Sequence, residues 1–315
     1  MTDAGASRAA ASHPRLRVLI DQARARARNG PETLGVVQPC DPLVLQAAAC
    51  ILDEGVARPV LVGDPNLIAR AADAAGVDEN DFEIIPTEPQ PAAAARTATM
   101  LARDGELRAL MKGSLHTDEL MAAVVDKANG LRGDGRISHV FLFDLPRYHK
   151  LLGLSDCVVN ISPSLEVKHD ILSNAIALLR RLELDHPKVA IIAAVETLNP
   201  AIPATVDAQE LVRLGRAGRW PGAIVEGSLG FDNAFSVEAA RAKHIDSRCA
   251  GDFDLMLVPD LNAGNLLYKS FIYVGGGECA GLVVGARVPV VLTSRADSLT
   301  SRLASVALAV VASRM

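Results

Sequence analysis

Short apolar runs, many of them rich in β-branched residues, alternate along the 315-residue chain with segments whose apolar positions recur at helical spacing. The strand-like runs fall at 34–37, 59–63, 82–85, 109–112, 138–144, 157–161, 189–195, 223–226, 255–259, 281–285 and 289–293. Helical spacing covers 14–29, 42–54, 91–103, 118–128, 165–184, 207–214 and 298–313. Strands alternating with helices make βαβ units, which predicts an α/β fold with mostly parallel sheets flanked by helices. Right-handed crossovers place the C-terminal ends of the parallel strands on one side of each sheet, where ligands of open α/β sheets bind. Two seams interrupt the pattern, the glycine-rich stretch 130–135 and the turn 287–289. They predict a discontinuous first domain, 1–137 plus 287–315, with a second α/β domain, 138–286, inserted into it. Residues 1–13 carry neither pattern and read as disordered.

Composition narrows this picture. Half of the residues are hydrophobic but only 3% are aromatic, so Val, Ile, Leu and Ala build the core, as in buried parallel strands under alanine-rich helices. A net charge of −5 argues against nucleic acid as a partner, which needs a clustered basic face. No apolar run approaches the ~18–20 residues of a membrane span; the longest, 281–292, is broken by Arg287 and Pro289. The five cysteines are odd in number and lack CxxC spacing, which suggests neither a zinc site nor a disulfide framework and predicts a reducing cytoplasm. The N-terminal stretch has no h-region of a secretory signal. His139, His149, His169, His186 and His244 show no ligand spacing with Cys or carboxylates, so no catalytic metal is expected.

Candidate chemistry lies at three predicted strand ends. Thr293-Ser294-Arg295-Ala296-Asp297 follows an apolar run and precedes a helix. Ser294 as N-cap with Asp297 three residues on approximates a capping box, a reading that needs no chemistry. It leaves Arg295 unexplained, because a cation in the first turn opposes the helix dipole unless an anion is bound there. Asp260-Leu261-Asn262-Ala263-Gly264-Asn265 has the same design: Gly264 allows close backbone approach, and Asn262 and Asn265 offer amide donors and acceptors. The competing reading is a simple Asx-capped turn. Lys269 is either a solvated helix cation or a phosphate partner. Lys112, Ser114, His116 and Thr117 follow the third strand end and precede a helix. Gly275-Gly276-Gly277 stands after a helix and before a strand, the reverse of a dinucleotide fingerprint, and no Walker A, HExxH or GxSxG sequence is present.

Taken in order, Met111-Lys112-Gly113 with His116-Thr117, Val195-Glu196-Thr197-Leu198-Asn199-Pro200, Gly230-Phe231-Asp232-Asn233-Ala234, Pro259-Asp260-Leu261-Asn262-Ala263-Gly264-Asn265 and Ser294-Arg295-Ala296-Asp297-Ser298 resemble the phosphate acetyl/butyryltransferase family. The resemblance runs from about residue 34 to the C-terminus and is closer to the butyryltransferase branch and to the transferase half of enoyl-CoA hydratase fusions. It implies two α/β domains with an active-site cleft between them, usually as a homodimer. It implies exchange of a short acyl group between coenzyme A and inorganic phosphate, by direct attack of the coenzyme A thiolate on the acyl phosphate in a ternary complex. Coenzyme A would be a substrate, with no further cofactor. Ser294, Arg295 and Asp297 would be catalytic, and Lys112, Ser114, His116, Thr117, Asp260, Asn262, Gly264, Asn265 and Lys269 would bind substrate.

Two positions depart from the family pattern. Acetyltransferases carry an aspartate seven residues after the serine, where this chain has Ser301, and Asp297 is the substitute expected. They carry an arginine in the helix after His-Thr, where this chain has Ala122 or its neighbours, and Arg136 or Lys112 would supply the cation. Two other functions compete. A metal-dependent dehydrogenase on the same architecture needs clustered aspartates and a nucleotide-binding segment, and the sequence has neither. A catalytically impaired regulatory acyl-CoA-binding protein is favoured only by the two departures.

Overall fold

A computed structural model describes residues 13–313 other than 29, 134, 293 and 295. Its strands are β1 (Thr33–Val37), β2 (Arg58–Gly63), β3 (Glu83–Pro86), β4 (Ala109–Lys112), β5 (Ser138–Asp144), β6 (Leu152–Ser155), β7 (Lys188–Ile192), β8 (Ile224–Leu229), β9 (Leu255–Leu257), β10 (Glu278–Val284) and β11 (Val290–Val291). The helices are α1 (Pro14–Ala27), α2 (Pro42–Asp53), α3 (Pro65–Ala75), α4 (Pro91–Arg103), α5 (Thr117–Val124), α6 (Leu165–Arg181), α7 (Pro203–Arg216), α8 (Phe231–Phe235), α9 (Val237–Ala242), α10 (Leu261–Tyr273) and α11 (Leu299–Ala312). The chain divides into two compact units, one formed by the residues up to Gly135 and from Cys279 onward, the other by Arg136–Glu278.

In the first unit the strands lie in the order β3-β2-β1-β4-β11-β10, all parallel except β10, which runs antiparallel to β11. β1 and β4 are buried along nearly their whole length, as expected of central parallel strands covered on both faces. α11 is apolar almost all round and buried from Ser301 to Ala312, so it is a core helix rather than an amphipathic one. It packs against α1, α2 and β11. Its two buried serines serve β10: Ser301 Oγ accepts from Cys279 N at 3.4 Å and Ser305 Oγ from Gly281 N at 2.9 Å, which satisfies backbone donors inside the core. These contacts tie residues from Cys279 onward to the first unit, so the unit boundary lies upstream of the seam read at 287–289.

In the second unit the order is β5-β6-β9-β7-β8, with β5 antiparallel to β6 and the remaining neighbours parallel. The apolar run 157–161, predicted as a strand, is a turn. Its strand lies just before it, at β6, and Asp156 Oδ1 then accepts from Val158 N and Val159 N at 2.9 and 3.0 Å. That side-chain bonding competes with strand pairing and wins. α3 has no counterpart in the expected helices, yet its signals are present: Asp64 caps Leu67 N at 2.9 Å, Pro65 opens the first turn and Gly76 closes the helix at φ +67°. Among the described residues, no helix is long and apolar enough to cross a membrane.

Candidate active site

The end of β4 in the first unit is shaped by one glycine. A Cβ on Gly113 would stand 2.4 Å from Val37 O and 2.6 Å from Gln38 O. Without it, Gly113 N and Ser114 N reach those two carbonyls at 2.9 and 2.7 Å. This stitch bends the chain out of the sheet directly beside the end of β1. A cavity of about 250 Å³ opens there, with Lys112, Ser114, Ser294 and Arg302 as polar walls and Leu43 and Leu115 among its apolar ones. Lys112 Nζ donates to Gly113 O and Leu115 O at 3.3 and 3.1 Å, so its ammonium is held over the loop that follows the strand. His116 and Thr117 come next, both exposed. His116 N donates to Glu119 Oε2 at 2.8 Å, which starts α5 at Thr117, and the helix stops at Val124, short of the expected 128.

Ser294 and Asp297 do not cap a helix. α11 begins at Leu299 with Ser298 as its N-cap, whose Oγ accepts from Ser301 N at 3.0 Å. The capping-box reading is therefore corrected: the two residues form a separate turn before the helix. Asp297 Oδ2 accepts from Ser294 N at 2.6 Å, Ser294 Oγ accepts from Ala296 N at 3.3 Å, and Asp297 N donates to Ser294 O at 3.2 Å. Ser294 is exposed and Asp297 half-buried. Arg295 and Thr293 lie outside the described residues.

Arg302, which the sequence reading had not singled out, carries this turn. It is only 3% exposed. Its Nη2 donates to Ser294 O at 2.8 Å and its Nε to Asp297 O at 3.3 Å. Burial lowers its pKa from the ordinary arginine value, against the opposing charges of Asp297 and Asp41; an arginine remains protonated under such a shift at neutral pH. Asp41 caps α2 through Leu43 N at 2.9 Å and also borders the cavity. Cys40 lies beside it; burial, aided by the Asp64 charge, pushes its thiol up to about 11, so it stays protonated at neutral pH. The signal for Arg302 was available, as a lone cation in an otherwise apolar helix.

In the second unit, Asp260 is the N-cap of α10, with Oδ1 accepting from Ala263 N at 3.0 Å. A Cβ on Gly264 would stand 2.8 Å from Asp156 O and 3.0 Å from Cys157 Sγ, so the helix needs glycine to approach that strand end. Asn262, Asn265 and Lys269 follow at helical spacing on one face, with Asn262 and Lys269 exposed and Asn265 half-buried. Beyond β7 and β8, Glu196 is bonded by the fully buried Asn233 and by Lys243 Nζ, and Lys243 also pairs with Asp232 at 2.9 Å. Hydrogen bonds from Lys243 hold both carboxyls below their ordinary values and raise the lysine in turn. Arg136 is tied within this unit, its Nε donating to Asn160 Oδ1 at 3.3 Å. Among the described residues no group of three or more His, Cys, Asp or Glu could hold a metal ion.

Residues 88–310 match the phosphate acetyl/butaryl transferase family. The chain is 46% identical over 291 residues to a phosphate acetyltransferase of Rhizobium meliloti, covering 92% of this chain and 91% of that protein. It is 39% identical over 269 residues to a phosphate butyryltransferase of Clostridium acetobutylicum, covering 85% and 89%. Among solved structures, a branched-chain phosphotransacylase from Enterococcus faecalis V583 aligns with a TM-score of 0.78 at 31% identity, covering 89% of this chain and 98% of that one. With strand-end sites of this kind and relatives matched over most of its length, the chain belongs to the phosphate acetyl/butaryl transferase family of enzymes.

Proposed function

We propose that this enzyme exchanges a short acyl group between coenzyme A and inorganic phosphate, by direct attack in a ternary complex. In one direction a phosphate oxygen attacks the thioester carbonyl, the C–S bond breaks, and the thiolate leaves with the electron pair. In the other, the coenzyme A thiolate attacks the acyl phosphate carbonyl and phosphate leaves. The observation that carries the reading is the cavity of about 250 Å³ in the first unit, where a lysine, an arginine and two serines, beside the helix-capping Asp41, meet an apolar wall. Cations and hydroxyls suit a tetrahedral oxyanion, and Leu43 and Leu115 suit a short alkyl chain.

Ser294 would donate its hydroxyl proton to the thiolate or to the developing oxyanion, a role in which one donor is typically worth ~10²–10³ in turnover. Arg295 would hold the phosphoryl group, with Lys112 and Arg302 adding positive charge. Asp297 would be the base that raises the thiolate fraction of a thiol whose free pKa is ~8.5. A protonated Cys40 supports a route without a covalent cysteine intermediate. Asn262, Asn265 and Lys269 would serve coenzyme A from α10. Under this reading coenzyme A is a substrate rather than a resident cofactor, the active form is a homodimer, and the reaction runs in the cytoplasm.

The test is phosphate-dependent release of free thiol from acetyl-, propionyl- and butyryl-CoA by purified protein. Release that requires phosphate supports the exchange and ranks the acyl groups. Ser301, at the position where acetyltransferases carry aspartate, favours a second reading, a regulatory acyl-CoA-binding protein. Coenzyme A binding without release from any of the three thioesters would establish that alternative.

A further inference from the structure

A second cavity, of about 430 Å³, lies in the first unit between α4 and α5, a size typical of small-molecule sites (~300–1,000 Å³). No step of the proposed exchange uses it. Its apolar lining is Met100 with Ala92, Ala122 and Ala123, and the small alanines on the two facing helices leave the gap open. Thr99 also lines it; the residue is 2% exposed, and its hydroxyl has no partner among the described residues. A helical threonine usually bonds back to a carbonyl of the preceding turn, and a buried hydroxyl that bonds to nothing is an unmet demand.

The charged groups around the opening differ in how they are engaged. Glu119 accepts from His116 N at 2.8 Å, and Asp126 accepts from Ala128 N and Asn129 N at 3.0 and 2.7 Å. Arg103 donates to Asp104 and Asn129 at 3.2 and 3.3 Å. Arg96 is exposed and has no hydrogen bond or ion pair among the described residues. It stands in the second turn of α4, whose N-cap, Gln90, gives no side-chain hydrogen bond to the helix start. One end of the cavity therefore combines an uncapped helix N-terminus with an unpaired guanidinium, the pairing that favours an anion.

We propose that this cavity is a second ligand site, separate from the strand-end pocket, for a small anion with an apolar body. The carboxylate, sulfonate or phosphate of the ligand lies at Arg96 and the first turn of α4. Its body lies on Met100, Ala122 and Ala123, and a polar atom along it meets the Thr99 hydroxyl. Glu119 lines the cavity and also holds His116 N, so an occupant touches the start of α5, next to the strand end that carries Lys112 and Ser114.

The probe is 8-anilinonaphthalene-1-sulfonate, an aromatic sulfonate of the stated chemistry, titrated into the full chain and followed by its fluorescence. The expected result is one saturable site that persists in saturating coenzyme A and phosphate. Ala122→Trp, which fills the cavity, should weaken binding at least tenfold. Arg96→Glu, a surface change that leaves the core untouched, should do the same. Arg96→Glu should leave thiol release unaltered, which separates failure of this site from failure of the transferase reading. Absence of a saturable signal, equal binding by both variants, or full displacement by coenzyme A would overturn the proposal.

Discussion

Arg302→Met tests whether the turn that presents Ser294 is held from below. Methionine keeps the length and apolar character that this buried position of α11 tolerates, while removing the donors to Ser294 O at 2.8 Å and to Asp297 O at 3.3 Å. Hydrogen bonds from a charged donor are worth about 1.5–3 kcal/mol each, and the longer one counts near zero. Ser294 is exposed, so its carbonyl rehydrates, and removing a guanidinium that is only 3% exposed returns part of its desolvation cost. The net loss of stability should be about 1–2 kcal/mol, read as a lower urea midpoint at unchanged slope. The loss of turnover should be far larger. A shift of about 1 Å in a reacting group costs roughly 10²-fold, and a lost cation beside the anion adds to it. Thiol release measured at saturating substrates should fall ~10²–10³-fold. Arg302→Lys, which keeps the charge but not the fork, should fall between the two. A variant with a lowered urea midpoint but turnover within about threefold of the parent would refute the reasoning, since a purely structural arginine behaves that way.

Gly113→Ala puts a methyl against two backbone carbonyls that cannot rotate away; unfolding should show a loss of about 1–3 kcal/mol, with exchange reduced further because Lys112 and Ser114 move. His139 is fully buried, and burial takes its pKa down to about 4 from the ordinary 6.5 despite the nearby Asp156 charge. The unfolded chain then takes up a proton the native state refuses, so this stability is complete above pH 6.5 and is lost as pH falls towards 4. The slope integrates to roughly 3 kcal/mol at ~1.4 kcal/mol per pKa unit; denaturant melts of wild type and His139→Leu across that window should diverge, and parallel curves would exclude it. Arg295→Ala should abolish thiol release with an unchanged circular dichroism spectrum, whereas a chelator should have no effect on the wild-type rate.

Much of the fold was legible because its signals are local. The apolar run 109–112 and the helix 91–103 appear at the expected positions, since short apolar runs and helical spacing act over a few residues. Where a side chain competes with the backbone, legibility fails. The run 157–161 looks like a strand, and only the placement of Asp156 shows that its N–H groups are already engaged. The Ser294–Asp297 pair has capping-box spacing, and its local bonds do form, but the N-cap lies four residues later than that spacing implied, at Ser298. Arg302 was missed for a different reason: its partners are carbonyls five and eight residues back, at a bend no periodicity describes.

The position of the missing family aspartate follows the same logic. Ser301 is 4% exposed, in the first turn of α11, with its hydroxyl turned to Cys279 N in β10. A carboxylate there would be largely desolvated, which raises its pKa and binds the proton it should remove. Asp297 stands on the outer side of the same helix start, half-buried and joined to Ser294 by a 2.6 Å hydrogen bond. Arg302 lies between these two solutions. Its guanidinium is buried with the apolar helix, yet its donors reach the turn outside it. A small hydroxyl at 301 lets α11 close onto β10, and the buried cation one residue on can then hold Ser294 and Asp297 together. Under the proposed reading Asp297 would act as base from this turn, and Arg302, buried with the helix and bonded to both carbonyls, ties that turn to the core.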